Sequence, residues 1–111
     1  EKVQQGVVGM SLDDYLAHLK ASPKLVLVDF NAVWCGPCKT LKPIVHRVEK
    51  RNADKVEVFE IDVDKNSTLA NTMNIRAIPL LILYKGGKEV WRNMGLAEEE
   101  LIENKLKEFS K

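Results

Sequence analysis

Leu25-Val26-Leu27-Val28-Asp29-Phe30-Asn31-Ala32-Val33-Trp34-Cys35-Gly36-Pro37-Cys38 is the stretch on which the fold turns. Its first four residues are an unbroken apolar run, as expected of a strand covered on both faces. Trp34 to Cys38 lies where the loop after that strand enters a helix. From there Leu41, Ile44, Val45 and Val48 recur at helical spacing. Pro37 suits a first turn, where its missing amide is not needed. A strand feeding directly into a long helix is the first half of a strand–helix–strand unit.

Downstream, Asn52-Ala53-Asp54 turns the chain into a strand carrying Val56, Val58, Phe59 and Ile61. A short helix around Ser67 to Met73 leads to Ile78-Pro79 and the strand Leu80 to Tyr84. Gly86-Gly87 then makes a hairpin into a strand around Val90 and Trp91, where Trp91 reads as sheet packing. Glu98, Glu99 and Glu100 suit the positive N-terminus of a last helix ending near Phe109. Upstream, Ser11 with Asp14 three residues on reads as a helix start. Leu12, Tyr15, Leu16 and Leu19 mark one face of that helix, and Ser22-Pro23 stops it. Val7 and Val8 read as a short first strand. The expected order is β-α-β-α-β-α-β-β-α, an α/β fold with a central mixed sheet flanked by helices on both faces.

The 111 residues suit one domain spanning residues 1–111, without repeats or linker-like tracts. Seventeen basic and 16 acidic side chains are spread without blocks, leaving a net charge of +1. That balance gives no electrostatic reason to expect nucleic acid or an acidic membrane surface as partner. The longest apolar runs fall far short of a membrane span. No signal-peptide pattern opens the chain, which begins at Glu1. A cytoplasmic location is expected, with a periplasmic or other extracytoplasmic one, after signal removal, as the alternative.

Only two cysteines are present, separated by two residues. So short a loop closes little chain entropy, so a bond there is a poor staple. Chemistry is the better explanation. A free thiol, with pKa about 8.5, is mostly protonated at neutral pH, and only the thiolate attacks a disulfide. Unpaired amides and the positive dipole end of a helix stabilise the anion. Cys35 lies at that end and is the expected nucleophile. Cys38, one turn further on the same face, is placed to resolve a mixed disulfide. Gly36 leaves room for a substrate backbone. Asp29, a carboxylate after four apolar strand residues, is costly to bury unless neutral or paired. It either sits beneath the cysteines or simply caps the turn that follows.

His46 follows Cys38 by eight residues and His18 lies in another helix, so neither completes a zinc module, and both are expected as solvated surface residues. No metal site, glycine-rich phosphate loop or basic–aromatic patch is read from the sequence. No bound cofactor is expected beyond the redox pair itself.

The chain resembles the thioredoxin family over nearly its whole length. The resemblance rests on Val28-Asp29-Phe30, Trp34 to Lys39, Pro43 inside the helix, Arg76-Ala77-Ile78-Pro79, Gly87 and Gly95. It implies a protein-disulfide reductase cycling between a Cys35–Cys38 dithiol and disulfide. It further implies that Asp29 is a buried acid moving a proton to and from Cys38, and that the Ile78-Pro79 bond is cis and packed against the cysteines. Trp34, Gly36, Pro37, Ile78, Pro79 and Gly95 would form a flat, mostly apolar docking rim. Implied partners are protein disulfides and a thioredoxin reductase or other electron donor, the chain acting as a monomer. Relatives that oxidise substrates carry a histidine between the cysteines, so Gly36-Pro37 resembles the reducing branch.

Three residues depart from the family pattern. Asn31 replaces a frequent aromatic, suggesting looser packing beside the loop. Leu80 replaces a frequent threonine, suggesting a more apolar rim. Glu60 stands where well-known members place a lysine; pointing inward, it would raise the pKa of Asp29. Two other readings compete: a thioredoxin-like domain of a larger or exported protein with its own redox partner, and a non-enzymatic binding module.

Overall fold

A computed structural model describes residues 7–111. The elements are α1 (Leu12–Ala21), β1 (Leu25–Asn31), α2 (Gly36–Arg51), β2 (Val56–Asp62), α3 (Ser67–Thr72), β3 (Leu80–Lys85), β4 (Lys88–Met94) and α4 (Glu99–Phe109). Four strands form one sheet in the order β2-β1-β3-β4. β1 pairs with β2 in parallel, and β3 runs antiparallel to both β1 and β4.

The expected mixed sheet is present, with one correction at its start. Val7 and Val8 form no strand, so among the described residues the order begins with α1. Val8 is largely exposed. The segment is instead tied to the loop before α3. Gly9 N–H donates to the Lys65 carbonyl at 3.0 Å, and the Asn66 amide holds the Val7 carbonyl and the Met10 N–H.

Side-chain alternation along the strands divides the core in two. Leu25 and Leu27 of β1, Val56 and Val58 of β2, and Leu81 and Leu83 of β3 meet Leu41, Val45 and Val48 of α2 and Ile102 and Leu106 of α4. Val26, Val28 and Phe30 point the other way, to Tyr15 and Leu19 of α1 and Leu69 of α3. β1 is therefore apolar throughout because it is central and covered twice. The same alternation puts Asp29 on the α2 side, in register with Glu60 of β2 and Leu81 of β3.

Local signals set the helix ends. The Ser11 hydroxyl accepts from Asp14 N–H and starts α1, whose Tyr15 and Leu19 are buried while Leu16 stays exposed. The Tyr15 hydroxyl reaches that of Tyr84 at 2.7 Å, fastening α1 to β3. Gly86 and Gly87, both at positive φ, make the turn between β3 and β4. Trp91 half-buries itself against the α4 side of the sheet, as its strand position predicts. β4 is one edge of the sheet, and its Lys88, Glu89 and Arg92 give it a charged outer surface.

Candidate active site

β1 ends at Asn31, and a four-residue loop carries the chain into α2. Cys35 is the N-cap of that helix, with extended backbone at φ −87° and ψ 111°. Its sulfur accepts from Cys38 N–H at 3.2 Å. The cap thus aims an orphan amide of the first turn at the Cys35 sulfur, an arrangement that favours negative charge on that atom. Cys35 and Cys38 are joined as a disulfide, with Cα atoms 5.3 Å apart. Both residues are nearly covered, at 4% and 6% exposed, so exposure does not distinguish them; position on the helix does.

Ala32 packs with the two cysteines, and Val63 and Ile78 close over them. The Ile78-Pro79 peptide is cis. Pro79 is itself buried and its carbonyl accepts from Gly95 N–H at 2.8 Å, joining the proline loop to the end of β4. Gly95, at φ 90°, takes a backbone conformation that side chains resist. Gly36 and Pro37 are exposed, and open space surrounds the position a Cβ would take on Gly36. Trp34 is 67% exposed, and its indole N–H donates to Asp64 at 2.7 Å. That bond holds the ring across the loop while leaving its face to solvent.

The structure therefore brings Trp34, Gly36, Pro37 and Ile78 together around the cysteine pair, with Gly95 linked in through Pro79. Three large exposed apolar residues, Val33, Met94 and Leu96, were not singled out from the sequence. Their signal is adjacency: Val33 precedes Trp34, and Met94 and Leu96 flank Gly95. Leu80 is buried on the α1 side, so it adds nothing to the rim, contrary to expectation.

Asp29 is 1% exposed, and its Oδ1 has no hydrogen-bond partner in this structure. Burial, and then the neighbouring Glu60 carboxylate, push its pKa up to about 7; Asn31 and the Lys42 ammonium pull it the other way. Strand alternation turns this side chain to the α2 side of the sheet, and no turn amide donates to its Oδ1. Glu60 points inward, only 7% exposed, and receives the His46 ring at 3.1 Å. The histidines are not the freely solvated pair expected. His46 spans from solvent to Glu60, while His18 meets Glu57 at 2.7 Å and lies over the Phe59 ring. Beside Cys38 opens a cleft of about 310 Å³, lined by Val33, Lys39, Lys42, Glu60, Asp62 and Lys65 among others. Among the described residues no group of histidine, cysteine and carboxylate side chains could hold a metal ion.

A family profile for thioredoxin matches residues 6–108. The chain belongs to the thioredoxin family. Thioredoxin H2-2 of rice is 43% identical over 93 residues, covering 84% of this chain and 68% of that protein. Thioredoxin of chicken is 43% identical over 94 residues, covering 84% and 89%. A mutant thioredoxin from Halobacterium salinarum superposes with a TM-score of 0.79 at 29% identity, covering 98% of this chain and 88% of that one. With the family and the Cys35–Cys38 disulfide together, the chain is a thiol–disulfide oxidoreductase of the thioredoxin fold, and this disulfide is its redox-active group. No helix among the described residues is long and apolar enough to cross a membrane.

Proposed function

We propose that this thioredoxin-family chain reduces protein disulfides, with Cys35 as nucleophile, Cys38 as resolving cysteine and Asp29 as the group that takes the Cys38 proton. The observation that carries the assignment is the N-cap: the Cys35 sulfur is the side-chain atom that receives an α2 amide. In the dithiol form the Cys35 thiolate attacks one sulfur of a substrate disulfide. A bond forms between them, and the displaced substrate thiolate leaves and takes up a proton. Asp29 then accepts the Cys38 proton, and the Cys38 thiolate attacks the Cys35 sulfur. This regenerates the internal disulfide and releases the second substrate thiolate, which is protonated in turn. Two electrons and two protons have passed to the substrate.

The substrate segment lies on the rim of Trp34, Gly36, Pro37, Ile78 and Gly95, with Pro79 shaping the backbone that it meets. Near-neutral net charge leaves shape and apolar contact as the main basis of recognition. An external donor, a thioredoxin reductase or an equivalent electron source, returns the disulfide to the dithiol over the same rim. The chain acts as a monomer, which keeps that rim open, and in the cytoplasm, whose thiol pools sustain the reducing direction. Residues 1–111 work as a single domain. Insulin reduction followed by turbidity tests the scheme. Wild type should turn over, Cys35→Ser should be inactive, and Cys38→Ser should accumulate a mixed disulfide on Cys35. Equal activity in all three proteins would overturn it.

A further inference from the structure

The structure places a second carboxylate and a histidine behind the acid that serves Cys38. Asp29 and Glu60 are register partners on adjacent parallel strands, so both side chains project toward α2. Glu60 is almost fully buried, and its contact to the outside is the His46 ring at 3.1 Å, a side chain 37% exposed. Glu60 also lines the cleft that reaches Cys38. We propose that Glu60, held by His46, is a positioning residue for the resolving step: the pair sets the charge that Asp29 feels and so the pH at which Cys38 loses its proton. The inference rests on the assignment of Asp29 made above.

The groups around this pair decide the sign. From α2, Lys39, Lys42, His46 and Cys38 face it; from β2 and the loop beyond it, Asp62 and Lys65 do. Leu81 of β3, the other register partner of Asp29, is apolar. Asn31 of β1 offers an uncharged amide. Glu60 is thus the negative charge acting on Asp29, and Lys42 the cation acting against it. A charged Glu60 favours protonated Asp29. A protonated His46 offsets that charge and lets Asp29 ionise.

Glu60→Gln keeps the size and hydrogen-bonding capacity of the side chain and removes its charge. His46→Gln removes the imidazole that meets Glu60, and with it the side chain able to offset the Glu60 charge. The test is single-turnover release of a chromogenic aryl thiolate from its mixed disulfide with Cys35, followed from about pH 5 to pH 9, a span bracketing the raised Asp29 carboxyl. Carbon-13 carboxyl shifts of Asp29 are recorded alongside, as a readout independent of turnover. In Glu60→Gln the acid limb should move down by about one pH unit, the scale of a close like charge at a half-wet site. In His46→Gln it should move up. In Asp29→Asn it should disappear. An Asp29→Asn protein that keeps the wild-type limb would refute the role of Asp29 itself. A limb lost in Asp29→Asn yet unmoved in Glu60→Gln would leave Asp29 standing and overturn the role of Glu60. A limb unmoved in His46→Gln would remove His46 from the device.

Discussion

Burying the Asp29 carboxyl costs the fold stability, and replacing it should make that cost measurable. The carboxyl titrates near 4 in an unfolded chain and is pushed up to about 7 here, chiefly by burial and then by Glu60. A raised acid is at no disadvantage below its unfolded pKa, where both states carry the proton. As pH climbs past that value the unfolded chain gains by ionising while the folded one cannot. The penalty therefore grows between about pH 4 and pH 7 and levels off above the folded value. Three pKa units at 1.36 kcal/mol each put the plateau at roughly 4 kcal/mol, a large part of the stability of a domain this size. Asp29→Asn, which resembles the protonated carboxyl in shape, should match wild type within about 1 kcal/mol at pH 4 and exceed it by roughly 3–4 kcal/mol at pH 8. Urea unfolding of the oxidised proteins, followed by tryptophan fluorescence, measures this without interference from cysteine titration. A difference that stays flat with pH, or an Asn variant less stable at pH 8, would show that Asp29 is not a raised acid.

Other consequences are more direct. Pro37→His places a titratable cation beside the Cys35 sulfur; it should stabilise the thiolate and raise the reduction potential by about 30 mV for each tenfold change in the exchange constant with glutathione. Equilibration with glutathione at fixed ratios measures it, and an unmoved potential would contradict the electrostatic account. Leu27→Ala opens a hole in the α2–α4 half of the core, where Leu27 is fully buried on the central strand. It should cost about 2–5 kcal/mol in urea unfolding while leaving the pH profile of the resolving step in place.

Much of the architecture was legible because its causes are local. The apolar run Leu25 to Val28, the stripe of Leu41, Val45 and Val48, the Ser11 cap and the Gly86-Gly87 turn each carry their structural meaning within a few residues. Val7-Val8 misled for the same reason. Two β-branched residues look like a strand, but their segment is fixed by Asn66, about sixty positions away, and among the described residues no strand pairs with it. The histidines fail alike: the partners of His18 and His46 come from β2, 39 and 14 residues distant. Leu80 reads as a rim residue from its place after Pro79, whereas strand alternation turns it to the α1 side.

At the site, the cysteines and the helix they open were readable because dipole, cap and spacing are properties of one segment. The burial of Asp29 was readable as an anomaly, a charge at the end of an apolar strand. The inward turn of Glu60 was not, since a strand residue near a sheet edge can face either way until register is known. The opposition of Glu60 and Lys42 across Asp29 depends on the packing of α2 over β1 and β2.

The proposed cycle depends on a Cys35 thiolate made easy to form by the N-cap of α2. Ultraviolet thiolate absorbance of the reduced Cys38→Ser protein, followed against pH, reports that one sulfur alone. Ionisation well below the free-cysteine value of about 8.5 is expected; a curve centred on that ordinary value would show that the cap does not activate the sulfur.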